Sequence, residues 1–242
     1  MMQLKKPVFL GAFFFLTTFS AIAQQQFSGW VGSFNTFKLD NRFSLHFDAQ
    51  LRSTDGLEQV GAILLRPGLN FHLNKTFVFT AGYLLNSSRR NVSGLSSLLN
   101  EHRIWQQAIA NQKAGKTAIA HRFRFEERFI PRAKIDGSSL AADGYDQAFR
   151  FRYFIRSVFP LISGQTFSSG PFLALQNEVF INTGNKTAVN GKAFDQNRLY
   201  GAVGYRFPGK MDIEAGYMNQ YSNTRTSFIN NHIVQLAVYK RL

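Results

Sequence analysis

Between Arg42 and Arg52 the chain reads RFSLHFDAQLR. Successive side chains of an extended strand point to opposite faces, so Phe43, Leu45, Phe47, Ala49 and Leu51 share one face, while Ser44, His46, Asp48, Gln50 and Arg52 share the other. A helical period would mix the two sets, whereas a period of two separates them. The same alternation returns in HRFRFEERF, from His121 to Phe129, where Phe123, Phe125 and Phe129 stand against Arg122, Arg124, Glu126 and Arg128. It returns once more in FRFRYFIR, from Phe149 to Arg156. Followed outward from these stretches, the pattern predicts about eleven strands, centred near Trp30, Phe47, Leu64, Phe79, Ile104, Phe123, Arg152, Leu175, Leu199, Ile213 and Leu236.

Turn chemistry separates the strands. Short connections are expected at Leu39-Asp40-Asn41, His72-Leu73-Asn74-Lys75, Lys113-Ala114-Gly115-Lys116 and Pro208-Gly209-Lys210, where Asp, Asn, Gly and Pro supply the required backbone angles. Longer polar stretches, Ser87 to Ser97, Pro131 to Gly144 and Thr183 to Lys192, read as loops. Alternating short and long connections suit a membrane barrel with tight periplasmic turns and longer outward loops.

Charge placement decides which face points where. A soluble barrel would put its polar face outside, but here the polar face carries mid-strand charge. Arg103, Arg122, Arg124, Arg128, Arg150, Arg152, Arg156 and Arg198 lie on it, joined by Arg52, Arg66 and Arg206, and by Glu101, Glu126, Glu178 and Glu214. Facing Phe, Leu, Ile, Val and Tyr outward to lipid leaves these charges to line a polar lumen, where they can pair across strands. The expectation is an all-β, antiparallel transmembrane β-barrel of about 10–12 strands. An odd count of eleven disagrees with the even numbers usual in single-chain bacterial barrels. Either a strand is hidden near Ala133 to Tyr145 or Gln24 to Gly29, or one candidate lies outside the wall.

The first 23 residues read MMQLKKPVFLGAFFFLTTFSAIA. Lys5 and Lys6 precede an apolar run from Val8 to Phe19 and a small-x-small site at Ala21-Ile22-Ala23, the pattern of a cleaved secretory signal peptide. The run is shorter than the roughly 20 residues a spanning helix needs. Residues 24–242 form one domain with no composition break. The chain has 242 residues, no cysteine, 26 Phe and a net charge of +14. Lack of cysteine excludes a disulfide scaffold, thiolate metal sites, a cysteine nucleophile and a lipidated cysteine.

The segments Glu101-His102-Arg103-Ile104-Trp105-Gln106-Gln107, Arg122-x-Arg124-x-Glu126-x-Arg128-Phe129, Asn177-Glu178 and Phe194-Asp195-Gln196-Asn197-Arg198-Leu199-Tyr200 resemble a bacterial family known as domain of unknown function 2490. Gly204-Tyr205 and Glu214-x-Gly216-Tyr217 extend the resemblance, which covers nearly the whole chain after residue 23. It implies a Gram-negative outer-membrane β-barrel and carries no biochemical activity with it.

Two chemistries can be read into the lumen. Arginines can bind small anionic solutes, phosphates or carboxylates, in a channel or binding site. Alternatively, Arg and Glu neutralise each other as a structural polar core. A third reading is a lipid hydrolase using Ser44, His46 and Asp48, but their spacing of about 7 Å per two residues is too long for direct hydrogen bonds along one strand. The chain is therefore expected to be non-enzymatic. The remaining histidines, His72, His102, His121 and His232, have no ligand spacing, so neither metal nor cofactor is expected. Gly82, Gly204 and Gly216, each before a Tyr, suit close strand contacts near an aromatic girdle. The expected partners are outer-membrane lipid and lipopolysaccharide, the latter through Arg89, Arg90, Lys186 and Lys192. The terminal run HIVQLAVYKRL resembles the strand read by barrel-assembly machinery, with Leu242 where an aromatic is usual. Export argues against nucleic acid.

Overall fold

A computed structural model describes residues 24–162 and 167–242. The predicted signal peptide, residues 1–23, lies outside the described residues. Eleven strands form one closed barrel: β1 (Gln24–Lys38), β2 (Phe43–Ser53), β3 (Val60–His72), β4 (Phe77–Val92), β5 (Leu95–Ala114), β6 (Thr117–Asp136), β7 (Ser139–Pro160), β8 (Gly170–Thr183), β9 (Phe194–Phe207), β10 (Met211–Asn223) and β11 (Phe228–Arg241). Each pairs antiparallel with the next, but the ring closes through a parallel ladder between β1 and β11, from Gln24↔Ile229 to Thr36↔Arg241. The odd count is therefore real, and no strand is hidden at either suspected place. Gln24 to Gly29 is the start of β1, and Ala133 to Tyr145 belongs to the β6–β7 hairpin.

The outer surface carries the expected apolar face. Phe43, Leu45, Phe47, Phe79, Phe123, Phe125 and Tyr217 are exposed, and Leu199 and Leu236 reach 57% and 51%. The opposite face packs inward on two apolar clusters, Trp30–Tyr200–Met218–Ile233 and Leu64–Leu84–Trp105. Gly82 stands beside Trp105 because a Cβ there would come within 2.6 Å of the indole.

One end of the barrel holds Leu242 and the connections 39–42, 73–76, 115–116, 161–169 and 208–210; we call it the tight-turn end. Two of its turns are near copies, Leu39-Asp40-Asn41-Arg42-Phe43 and Leu73-Asn74-Lys75-Thr76-Phe77. In the first, the N–H groups of Arg42 and Phe43 donate to Asp40 Oδ1 at 2.6 and 2.7 Å; in the second, those of Thr76 and Phe77 donate to Asn74 Oδ1 at 2.8 Å each. A short polar side chain thus satisfies the backbone donors that the reversal leaves unpaired.

The opposite end differs from the sequence expectation. Ser87 to Ser97 and Pro131 to Gly144 are not long loops, because β4–β5 and β6–β7 continue as ladders to Val92↔Leu95 and Asp136↔Ser139. Ser93 and Gly94, both at positive φ, make the first turn, as a two-residue hairpin requires. In these extensions the strict alternation fades while the backbone ladder persists, with Leu99, Ile130 and Leu140 buried among them. The hairpins separate beyond His102↔Phe129, where β5–β6 pairing ends. A bulge between Pro131 and Ala133 bends the β6–β7 hairpin, and Leu140 N–H donates to Ser97 Oγ at 2.9 Å on β5. The segment 184–193 is an irregular loop as expected.

Asp40→Ala should lower the temperature at which the folded, fast-migrating gel band is lost, while Asp40→Asn should keep it. The two backbone N–H donors, that of Arg42 foremost, hold the Asp40 carboxyl below its usual value. Its contribution is therefore complete above about pH 4 and lost as pH falls through the lower folded value, so the Asn variant should be the less acid-sensitive of the two folded forms.

Candidate functional site

The inward face is built from alternate residues of neighbouring strands, which sets Arg and Glu in cross-strand reach. Three glutamates organise the centre. Glu126, 1% exposed, accepts from Arg152 at 2.5 Å and from Arg150 at 2.7 Å, with Arg103 at 3.5 Å and Arg124 at 3.9 Å. Glu101 accepts from Arg103 and Arg128, both at 2.7 Å. Glu178 accepts from Arg122 and Arg152, both at 2.7 Å. Towards the tight-turn end, Glu214 takes Arg156 at 2.6 Å and the hydroxyls of Tyr239 and Tyr200 at 3.0 and 3.2 Å. All twelve residues anticipated for the lumen thus face inward, but Arg198 does not join an ion pair among the described residues. Its register partner Glu178 is engaged by Arg122 and Arg152, so Arg198 donates to Gln196 at 3.0 Å and lies over Phe180 and Trp30 instead.

Further lumen residues complete the network. Asp48 pairs with Arg66 at 2.7 Å, and Asp195 with Arg150 at 3.0 Å. Alternation counted back from exposed Leu199 would turn Asp195 outward. A bulge at Phe180/Ile181 reverses the phase, leaving Asp195 8% exposed and bonded to Asn190 from the 184–193 loop at 3.2 Å. The loop end of the lumen is thereby filled by polar side chains.

The Ser44–His46–Asp48 stripe does not assemble as a Ser–His pair. His46 turns to Asp48 at 3.2 Å, and Ser44 Oγ meets Nε2 of His72 at 2.8 Å. Ser44 is the last hydroxyl of a row: Arg124 donates to Gln107, Gln107 to Thr80, Thr80 to Asn70 and Asn70 to Ser44, at 2.6, 3.1, 2.7 and 3.0 Å. Each hydroxyl has one proton, so the arginine at the head fixes the direction of the row as far as Ser44, which accepts from Asn70.

Between the tight-turn mouth and the Glu126 layer lies a cavity of about 710 Å³. It reaches from Lys38, Lys210 and Arg241 at the rim to Trp30, Arg52, Arg122, Arg152 and Arg198 at its floor. Nine Lys and Arg side chains line it, with three side-chain carboxylates, Asp40, Asp48 and Glu178. The cavity forms a cup above Glu126, Arg124, Arg150 and Glu101, which are buried. Among the described residues no group of three or more His, Asp or Glu is arranged to hold a metal.

The family described as "Protein of unknown function (DUF2490)" matches residues 27–231. An uncharacterized protein of Methylorubrum extorquens is 28% identical over 203 residues, 80% of this chain and 78% of its own length. Among solved structures, a NanC porin superposes with a TM-score of 0.48 at 9% identity, covering 84% of this chain and 92% of that one.

Glu126→Gln should lower stability by about 3–5 kcal/mol, because it leaves several buried guanidinium groups facing a neutral amide. Urea unfolding in detergent micelles, followed by tryptophan fluorescence, measures this. A change under about 1 kcal/mol would mean that the central layer is held by packing rather than by charge.

Proposed function

The chain belongs to the DUF2490 family, and we propose that it is a non-enzymatic outer-membrane β-barrel that holds small anionic solutes in a blind cationic cup open to the periplasm. The observation that carries this reading is a set of four basic side chains in the cup lining, Lys38, Arg52, Arg198 and Lys210, that have no carboxylate within 4.0 Å among the described residues, above the buried Glu126 layer. A channel would need an interior open from end to end, and a purely structural core would be expected to neutralise its own charge. The membrane location is supported by the exposed apolar belt around a closed barrel, which leaves no unpaired strand edge. On this reading the tight turns face the periplasm, while Arg89, Arg90, Lys186 and Lys192 at the other end lie where lipopolysaccharide phosphates would be met. Strand β11 would serve as the signal for barrel-assembly machinery.

A second reading, a serine hydrolase acting on a solute in the cup, is favoured by the Ser44–His72 contact at 2.8 Å. Ser44 is 1% exposed, which argues against attack on a substrate. A fluorophosphonate probe that labels the wild type and not Ser44→Ala would favour the hydrolase.

Purified protein in planar bilayers should pass no steady current, and titration with inorganic phosphate in detergent should show saturable binding that weakens as salt rises. Steady anion-selective conductance would replace the cup with a pore. Absence of any anion binding would leave a structural barrel.

A further inference from the structure

We infer that the floor of the cup is a site for a phosphate-type dianion, held by Arg52 and Arg198 beside the indole of Trp30; this rests on the anion-cup reading above. These two arginines are set apart from the rest of the lumen. Neither has a carboxylate within 4.0 Å among the described residues, whereas Arg66, Arg103, Arg122, Arg128, Arg150, Arg152 and Arg156 each do. Arg52 donates from Nη2 to Gln50 at 2.7 Å, and Arg198 from Nη2 to Gln196 at 3.0 Å; both amides are neutral. Their buried Nε atoms have no hydrogen-bond partner among the described residues, and the same holds for Nε of Arg122.

Buried donors without acceptors are costly, more so when charged. Where two guanidinium groups without a carboxylate lie over one indole and line an accessible cavity, they complement an anion. Aromatic faces hold the groups in place: Cζ of Arg52 and of Arg198 lie 3.8 and 5.1 Å from the Trp30 ring centroid, and Cζ of Arg122 lies 4.2 Å from that of Phe154. Trp30 is itself packed on Tyr200, Met218 and Ile233. Stacking occupies the faces of a guanidinium and leaves its in-plane donors free for bidentate contact.

Charge and shape narrow the ligand. Two cations lack a carboxylate, which suits two negative charges. Arg122 shares Glu178 with Arg152 and adds a third donor, so a tetrahedral oxyanion, with three or more oxygens, fits better than a planar carboxylate with two. The cup above leaves room for an organic group behind the phosphate.

The test titrates the full-length, detergent-solubilised protein with inorganic phosphate, glycerol 3-phosphate and acetate, read by calorimetry and by tryptophan fluorescence, since a ligand that draws Arg52 off Trp30 alters its emission. Both phosphates should bind at least about tenfold more tightly than acetate, and Arg52→Gln and Arg198→Gln should each lose about tenfold in phosphate affinity. Arg52→Lys and Arg198→Lys, which keep the charge, should lose the preference for phosphate over acetate; they serve where a Gln form does not fold. Folded variants that bind phosphate like the wild type, with salt-sensitive binding retained, would overturn the floor site and leave the anion cup standing. A wild type that binds none of the three anions would overturn both. Phosphatidylglycerol micelles, which present a monoanionic diester, should not compete; equal competition would assign the site to a lipid headgroup and overturn the dianion.

Discussion

A ring of strands that reverse direction at every turn can close with an odd number only if the last strand lies beside the first in the same direction. Eleven strands impose that condition here, and the rest of the architecture follows from it. Backbone groups surrounded by an apolar layer must all be paired, so the seam between β1 and β11 must form a full ladder. It does so over thirteen register pairs, from Gln24 to Thr36. Parallel closure also fixes the side-chain phase across the seam, setting Trp30 on β1 beside Gln235 on β11, both inward, and Val31 beside Leu236, both outward.

Inside that ring the interior is polar, and its stability rests on geometry. Removing an arginine and a glutamate from water costs several kcal/mol per ion, and only well-placed partners offset it. Glu126 meets this requirement with arginines from three strands, β5, β6 and β7. The same accounting explains why the floor of the cup stands apart. The central layer is self-sufficient, whereas Arg52 and Arg198 lean on neutral amides and rings. A layer that neutralises its own charge and a pair of arginines without carboxylates thus occupy adjacent levels of one lumen.

How much of this was legible in the sequence depends on where each residue sits. Phe43 to Leu51 and Phe123 to Phe129 announce strands because one face meets apolar surroundings and the other charge, which writes the period of two plainly. The β4–β5 and β6–β7 extensions are rich in Ser, Arg, Asp and Gly, so composition alone makes them look like loops. Asp195 could not be placed because a bulge changes phase without any residue type that marks it. The partner of Ser44 was hidden for another reason. His46 is near in sequence, but the register Ser44↔Asn70 makes His72 the diagonal neighbour, and register is not written in a single strand. The alternation assigned the twelve charged residues to one face of their strands; which of them would lack a counter-ion it did not show.

The parallel seam also orders the events of assembly. Every other pairing joins strands adjacent in the chain, so hairpins can form in succession as the chain emerges. Gln24 meets Ile229 only when nearly the whole sequence is present, making closure the most non-local step and the slowest by loop entropy. Until then the chain carries two open edges, and these differ from those of an even-stranded barrel because they accept each other in parallel. Two incomplete copies that exchanged edges would add strands in one continuing direction, head to tail. Such head-to-tail pairing either closes into a larger ring or continues as a filament, so sealing of the seam protects each barrel from its neighbours.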